Sequence, residues 1–308
     1  MIAQRALENG LTVAYVNTVG GQDELVFDGS SIICNTTGGL VARGPAFQEW
    51  LLITDLEFPD AAAKLSRTTS SAEAAAVGTA KNVTVSEVAL NSRAPLAEQP
   101  MSDGIDGPEE VYRALVMGTG DYLRKSGFTK ALIGLSGGID SALTATVAVD
   151  ALGKDNVVGI TMPSRYSSEG SISDSQKLAE NLGLDLWEVP IEPAHQAFTD
   201  MLAERFKGTE ANVAEENVQA RVRGNVLMTV SNKFGWIVLT TGNKSEMAMG
   251  YATLYGDMAG GFAVLKDVPK ITVYELCRWR NRQGRAFGTA DDVIPAAIID
   301  KPPSAELR

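Results

Sequence analysis

Eight consecutive residues, Gly134-Leu135-Ser136-Gly137-Gly138-Ile139-Asp140-Ser141, have the types and spacing to hold phosphate. Gly137 and Gly138 let the backbone come close to a ligand, and Ser136 and Ser141 bring hydroxyls. A helix opening near Ser141 adds unpaired N–H groups and the positive end of its dipole. Together these make a cradle for phosphate oxygens. The spacing is not that of the G-x-x-x-x-G-K-[ST] loop, because no Lys follows the second glycine. Asp140 either caps the helix or faces the ligand.

The turn needs a strand to deliver it and a helix to receive it. The apolar run 131–135 supplies the strand, and 141–152 reads as the helix. From residue 107 onward strands and helices alternate. Helix 109–125 places Val111, Leu115, Met117 and Leu123 near one face. Strands are expected at 156–162, 184–190 and 236–241, with helices at 171–182, 197–206 and 215–234. That order predicts right-handed βαβ units and a doubly wound parallel α/β sheet. Ligands of such sheets bind beyond the carboxyl ends of the strands, where the glycine-rich turn sits.

Residues 1–58 read as a separate unit. A short helix at 3–9 precedes strand candidates at 11–16, 24–27, 31–34, 40–42 and 51–56, with a Gly-Gly turn within 17–22. Residues 59–106 are rich in Ala, Ser, Thr, Pro and Gly and read as linker, with a weak helix at 71–77. Residues 107–308 form the second domain.

The chain has 308 residues, 44% of them hydrophobic, which suffices for a substantial core. Its net charge of −11, with 38 acids against 27 bases, and the lack of a basic run argue against a nucleic-acid partner. No run is long enough to span a membrane, and 1–10 lacks a leader's apolar stretch, so a soluble cytoplasmic protein is expected. Cys34 and Cys277 lack metal-ligand spacing and read as reduced core thiols. His195, the single histidine, reads as solvated or capping. Met247, Met249 and Met258 read as packing residues, and Arg223 as part of a solvated helix face. Gly260-Gly261 reads as a flexible turn or a close approach to a ligand.

Several ordered segments agree with the turn: Glu216-Asn217-Val218-Gln219-Ala220-Arg221-Val222-Arg223, Thr240-Thr241-Gly242-Asn243-Lys244-Ser245-Glu246, Gly250-Tyr251-Ala252-Thr253-Leu254-Tyr255-Gly256-Asp257, Leu265-Lys266-Asp267-Val268-Pro269-Lys270, and Ile299-Asp300-Lys301-Pro302-Pro303-Ser304-Ala305-Glu306-Leu307. The Ser-Gly-Gly-x-Asp-Ser loop resembles that of the ATP pyrophosphatases, which split ATP between its α and β phosphates. With the other segments, 107–308 resembles NAD synthetase, with an adenine nucleotide alpha hydrolase-like, Rossmann-like fold. Residues 15–29 resemble the carboxyl-terminal part of a nitrilase-like glutaminase, implying a partial nitrilase-like α/β sandwich at the N-terminus. Nothing here matches that domain's Cys, Glu and Lys, and both ends of the chain look cut away.

The resemblance implies ATP-dependent amidation of deamido-NAD through an acyl-adenylate, releasing AMP and pyrophosphate. Ammonia would come from glutamine in the full-length enzyme. It places Gly134, Leu135, Ser136, Gly137, Gly138, Ile139, Asp140, Ser141, Ser164, Arg165 and Thr241 at ATP. Asn217, Arg221, Glu246 and Asp257 fall at deamido-NAD, with Lys270 a further candidate. Mg²⁺ would be held by Asp140, with Glu246 as a possible second ligand; alternatively Lys244 and Glu246 form only a local ion pair. A homodimer through the synthetase domain, and a higher oligomer in the full-length family, are also implied. The alternatives are another ligase of the loop group, such as a GMP or argininosuccinate synthetase, and a nucleotide-binding remnant without turnover.

Overall fold

The computed structural model describes residues 1–56, 94–96, 98, 100–210 and 212–302. Most of the expected linker, the weak helix at 71–77 and the closing residues 303–307 lie outside these described residues. The chain divides into two compact units. One takes Met1–Val16, Ser30–Pro45 and Glu49–Asp103, and the other Asn17–Gly29, Ala46–Gln48 and Gly104–Arg308.

In the first unit, helix α1 (Ile2–Asn9) ends on Gly10 in the left-handed conformation, where a side chain would be strained. Strands β1 (Val13–Tyr15), β4 (Ile32–Cys34) and β5 (Leu40–Arg43) pair antiparallel in the order β1-β4-β5. Ala6, Cys34 and Ala42 are buried among them. The strand expected at 51–56 does not form. Leu51 and Ile53 are apolar and strand-prone but stand 80% and 62% exposed, and no strand among the described residues pairs with them.

The segment expected to be a Gly-Gly turn within 17–22 is instead part of a hairpin, β2 (Val19–Gln22) and β3 (Leu25–Asp28). This hairpin belongs to the second unit, not to the N-terminal one. It packs on α2 (Gly107–Lys125), where the buried Asp121 carboxylate accepts the Gly21 N–H at 2.7 Å. A Cβ at Gly21 would lie 3.2 Å from the Gly118 Cα, a tight contact, and Gly20 beside it has φ +129°, where a side chain would be strained.

The second unit is built on a five-stranded, wholly parallel sheet: β6 (Ala131–Leu135), β7 (Val157–Thr161), β8 (Asp185–Glu188), β9 (Ile237–Thr240) and the short β10 (Phe262–Ala263). Their order is β10-β9-β6-β7-β8. Alternate residues of β6 and β9 face opposite layers. Ile133 and Leu239 join the core with α2, α3 (Ile139–Leu152) and α8 (Lys270–Asn281), while Leu132 and Val238 join the core with α6 (Val213–Phe234). Strands covered on both faces read as continuous apolar runs, which is why they were visible in the sequence. Strand order reverses between β6 and β9, so the crevice above these two is the topological switch point.

Several helices begin earlier than expected, each for a capping reason. Gly138 caps α3, so Asp140 lies inside the first turn and does not cap it. The Ser168 side chain caps α4 (Glu169–Leu182) by accepting the Ser171 N–H. Pro193 fits the first turn of α5 (Glu192–Phe206), and Asn212 with Glu215 forms a capping box on α6. His195 is therefore within α5. It is buried, with Nε2 3.4 Å from the Glu215 carbonyl, so it is neither solvated nor a cap.

Candidate functional site

The glycine-rich turn leaves β6 at the switch point and enters α3. Gly137 has φ +72°, and a Cβ there would lie 2.4 Å from the Ser171 carbonyl on α4. Only glycine permits this close approach. The Ser141 hydroxyl donates to the Gly138 carbonyl at 2.9 Å and stands 3.2 Å from the Ser136 hydroxyl. The Gly138 N–H donates to the Ser136 hydroxyl. These bonds close the turn around its own backbone at the amino end of α3, a setting whose N–H groups and dipole favour an anion.

Asp140 is the hub of the cluster. Its Oδ1 accepts from the Asn243 amide at 2.9 Å, and its Oδ2 is paired with the Lys270 ammonium. Asn243 leads from β9 into the short helix α7 (Lys244–Met249), where it forms a capping box with Glu246. The Asn243 side chain accepts the Glu246 N–H at 3.0 Å, and the Glu246 carboxylate accepts the Asn243 N–H at 3.1 Å. Glu246 and Lys244 therefore do not form the suggested ion pair. Burial raises the Glu246 carboxyl above its ordinary value, and the nearby Asp140 charge adds to this against the Asn243 hydrogen bond. Asn243 was missed in the sequence. Its signal was the N-x-x-E capping spacing directly after a buried strand.

A second cluster joins α6 to the segment after α7. Thr253, itself buried, donates its hydroxyl to the Asn217 side chain and its N–H to the Asp257 carboxylate, both at 2.9 Å. Arg221 Nε donates to the Leu254 carbonyl at 3.2 Å. A Cβ at Gly224 would sit 2.9 Å from the Gly256 carbonyl, so glycine lets this segment seat on α6. Arg223 is half-buried and donates to the Met162 carbonyl, which corrects its reading as a solvated residue.

Past β7, the Ser164 hydroxyl donates to the Gln219 side chain at 2.9 Å, and Arg165 is paired with Glu192. Thr241 stands just past β9 with no side-chain hydrogen bond among the described residues. Gly260 and Gly261 make a close approach to the neighbouring strand. Gly260 abuts β9, where a Cβ would lie 2.5 Å from Thr240 Cγ2, and Gly261 N–H donates to the Val238 carbonyl. Met258 packs on Gly242, whereas Met247 and Met249 are 42% and 83% exposed.

Both cysteines are free and buried, and burial pushes the Cys277 thiol far above its ordinary value, which suits a packing role. Among the described residues no three His, Cys, Asp or Glu side chains form a metal cluster, and no helix is long and apolar enough to cross a membrane. A cavity of about 510 Å³ lined by Lys130, Lys154, Asp155 and Trp236 lies at the amino ends of the strands, opposite the glycine-rich turn.

A doubly wound parallel sheet with a glycine-rich turn opening a helix at its switch point defines a nucleotide-binding α/β protein. A family model described as NAD synthase matches residues 111–308, and the chain belongs to that family. Over 308 residues the chain is 46% identical to a glutamine-dependent NAD(+) synthetase of Thermotoga maritima, covering all of this chain and 52% of that protein. A glutamine-dependent NAD+ synthetase from Acinetobacter baumannii, solved with ADP, superposes with TM-score 0.76 at 38% identity, over 99% of this chain and 51% of that one. An NMN synthetase from Francisella tularensis superposes with TM-score 0.57 at 31% identity, over 66% and 78% of the two chains. The chain thus spans about half the length of the curated relatives it matches.

Proposed function

We propose that this chain carries the synthetase site of a glutamine-dependent NAD⁺ synthetase, which amidates deamido-NAD at the expense of ATP. The observation that carries this reading is the Ser136–Ser141 turn at the switch point, with Asp140 tied to Asn243 and Lys270. The ADP in the Acinetobacter relative supports ATP as the nucleotide.

In the first step the nicotinate carboxylate attacks the α-phosphorus of ATP. The bond to the bridging oxygen breaks, pyrophosphate leaves, and an acyl-adenylate remains. Ammonia then attacks the activated carbonyl, AMP departs, and a proton is released. No protein nucleophile is required. The chain's contribution is positioning and charge neutralisation. Backbone N–H groups at the start of α3 hold the β and γ phosphates, and Lys270 offsets the charge that develops on the leaving pyrophosphate. Thr241, Ser164 and Arg165 flank the nucleotide. Asn217, Arg221 and Asp257 lie in the cluster assigned to deamido-NAD, where Asn217 acts through Thr253 on the 251–257 segment.

Asp140 and Glu246, linked through Asn243, suit Mg²⁺, which takes one or two carboxylates and fills its other positions with water and phosphate oxygens. Bound there, Mg²⁺ would neutralise the phosphate charge.

The exposed apolar residues of α5 and α6, including Phe198, Met201, Phe206 and Val213, fit a homodimer interface. Nitrogen is proposed to come from glutamine in the complete protein. With both cysteines buried, this chain alone is expected to use ammonium and not glutamine.

The test supplies ATP, Mg²⁺, deamido-NAD and ammonium, and follows AMP, pyrophosphate and NAD⁺. Stoichiometric formation of all three is expected. Pyrophosphate release with xanthosine monophosphate instead, or ATP binding without any AMP, would overturn the reading.

A further inference from the structure

Arg165 is held more firmly than a surface arginine needs to be for stability. Its side chain is 50% exposed and that of Glu192 is 34% exposed, a setting in which an ion pair contributes little to folding. Yet the start of α5 grips it several times. Arg165 Nε donates to Glu192 Oε1 at 2.8 Å, and Nη2 donates to the same carboxylate. Nη2 also donates to Gln196 Oε1 at 2.7 Å, and the Arg165 N–H donates to Glu192 Oε2 at 3.3 Å. Gln196 is oriented in turn, because its Nε2 donates to Asp200 Oδ1 at 2.7 Å. The mutual hydrogen bonds hold the Glu192 carboxyl below its ordinary value and the Arg165 guanidinium above its own, so both stay charged.

Hydrogen bonds to a guanidinium lie in its plane and leave its two faces open. The carboxylate also offsets the positive charge, so this arginine is a poor hook for phosphate. A guanidinium that stays charged, with its plane fixed and its hydrogen bonds in that plane, suits a flat aromatic ring instead. Its place in the chain agrees. Arg165 follows β7, and β7 pairs in register with β6, Leu135 opposite Thr161, so it emerges beside the phosphate cradle. Ser164 next to it is fixed by Gln219.

We propose that Glu192 and Gln196 are positioning residues that set the Arg165 guanidinium plane as a stacking platform for the adenine base of ATP. The inference rests on the assignment of ATP to the glycine-rich turn. Neither residue touches the reacting atoms. Their effect is to remove the rotameric freedom that Arg165 would otherwise lose on binding.

The test titrates the full chain, with Mg²⁺, against ATP and against inorganic tripolyphosphate by calorimetry. Tripolyphosphate occupies the cradle without a base. The double variant Glu192→Ala/Gln196→Ala is expected to weaken ATP about five- to tenfold while tripolyphosphate changes less than about twofold, the cost expected for freeing one long side chain. Glu192→Gln, which keeps an in-plane acceptor, should restore part of the loss. Arg165→Lys keeps the charge but removes the plane. It should weaken ATP as much as the double variant, with no further loss when combined. If Arg165→Lys weakens ATP and the double variant does not, the positioning role is wrong and the ATP assignment stands. Equal loss of ATP and tripolyphosphate in the double variant would show a general distortion and also overturn it. A wild-type chain that binds neither ligand would overturn the ATP assignment itself.

Discussion

Asp140 satisfies two partners at once, the Asn243 amide on one oxygen and the Lys270 ammonium on the other. Replacing it by Asn keeps the shape but removes the charge that Lys270 faces and the ligand proposed for Mg²⁺. Asp140→Asn is expected to lower the rate of AMP formation by about 10²-fold or more, the scale of losing one preorganised electrostatic contact, with the melting temperature little changed. Glu246 adds a pH dependence. Because burial raises its carboxyl, it protonates on acidification before ordinary carboxylates do. The ligand-free fold gains stability as pH falls through that raised range and loses it as pH rises through it, since the charged form is the one that burial disfavours. Mg²⁺ binding at Asp140 and Glu246, as proposed, would have the opposite sign and weaken on the same acidification. Titrations of Mg²⁺-ATP at stepped pH should show the decline in wild type. Glu246→Gln should bind more weakly than wild type above that range, converge with it below, and show no decline of its own there; a parallel decline would move the effect to another group.

At the scale of elements, the turn between β6 and α3 depends on α4 lying against it. Gly137→Ala would push a methyl group into the Ser171 carbonyl while holding a strained φ. The expected cost is about 1–3 kcal/mol, with loss of ATP binding, measured by denaturant unfolding and calorimetry. Four strands of the sheet and its turn were legible because buried parallel strands are apolar runs and the turn is rich in glycine; β10, two residues long, was not. Two kinds of element were not. The six-residue α7 has too few residues for a period, and it exists because Asn243 and Glu246 cap each other. Helix α8 has a polar residue where its apolar stripe should run. Arg280 is wholly buried, and its partner Asp150 lies 130 residues away, beyond the reach of local pattern. The site had the same limit. Asp140, Glu246 and Lys270 were individually readable, whereas the links Asn243–Asp140 and Arg165–Glu192 arise only from folding.

At the scale of the whole molecule, Asp150 joins three helices. It accepts from Tyr112 on α2 and from Arg280 on α8 while standing on α3 itself. Burial, with the Asp150 charge behind it, raises the Tyr112 hydroxyl well above its ordinary value. Asp150→Ala would leave Arg280 buried without its counter-charge. The expected loss is about 3–5 kcal/mol, read from urea unfolding, because breaking a buried pair costs more than the pair contributes. The apolar surface of α5 and α6 carries a second expectation. Met201→Glu, at a residue 68% exposed, should leave the monomer's melting curve intact and shift the mass measured by light scattering from dimer to monomer. A dimeric mass kept by the variant would place the contact elsewhere, and a monomeric wild type would overturn the proposed dimer.

The hairpin formed by β2 and β3 makes the synthetase something other than a detachable cassette. A chain cut before Gly104, where the unbroken part of the second unit begins, leaves behind strands that supply the Gly21 N–H to Asp121 and glycines that lie close to α2. Excision would uncover that helix face and expose the Asp121 carboxylate, leaving it Arg124 and Lys125 as partners. Inheritance of this region as a standalone gene would therefore require either the thirteen or so upstream residues to travel with it or Asp121 and Gly118 to be rewritten as surface.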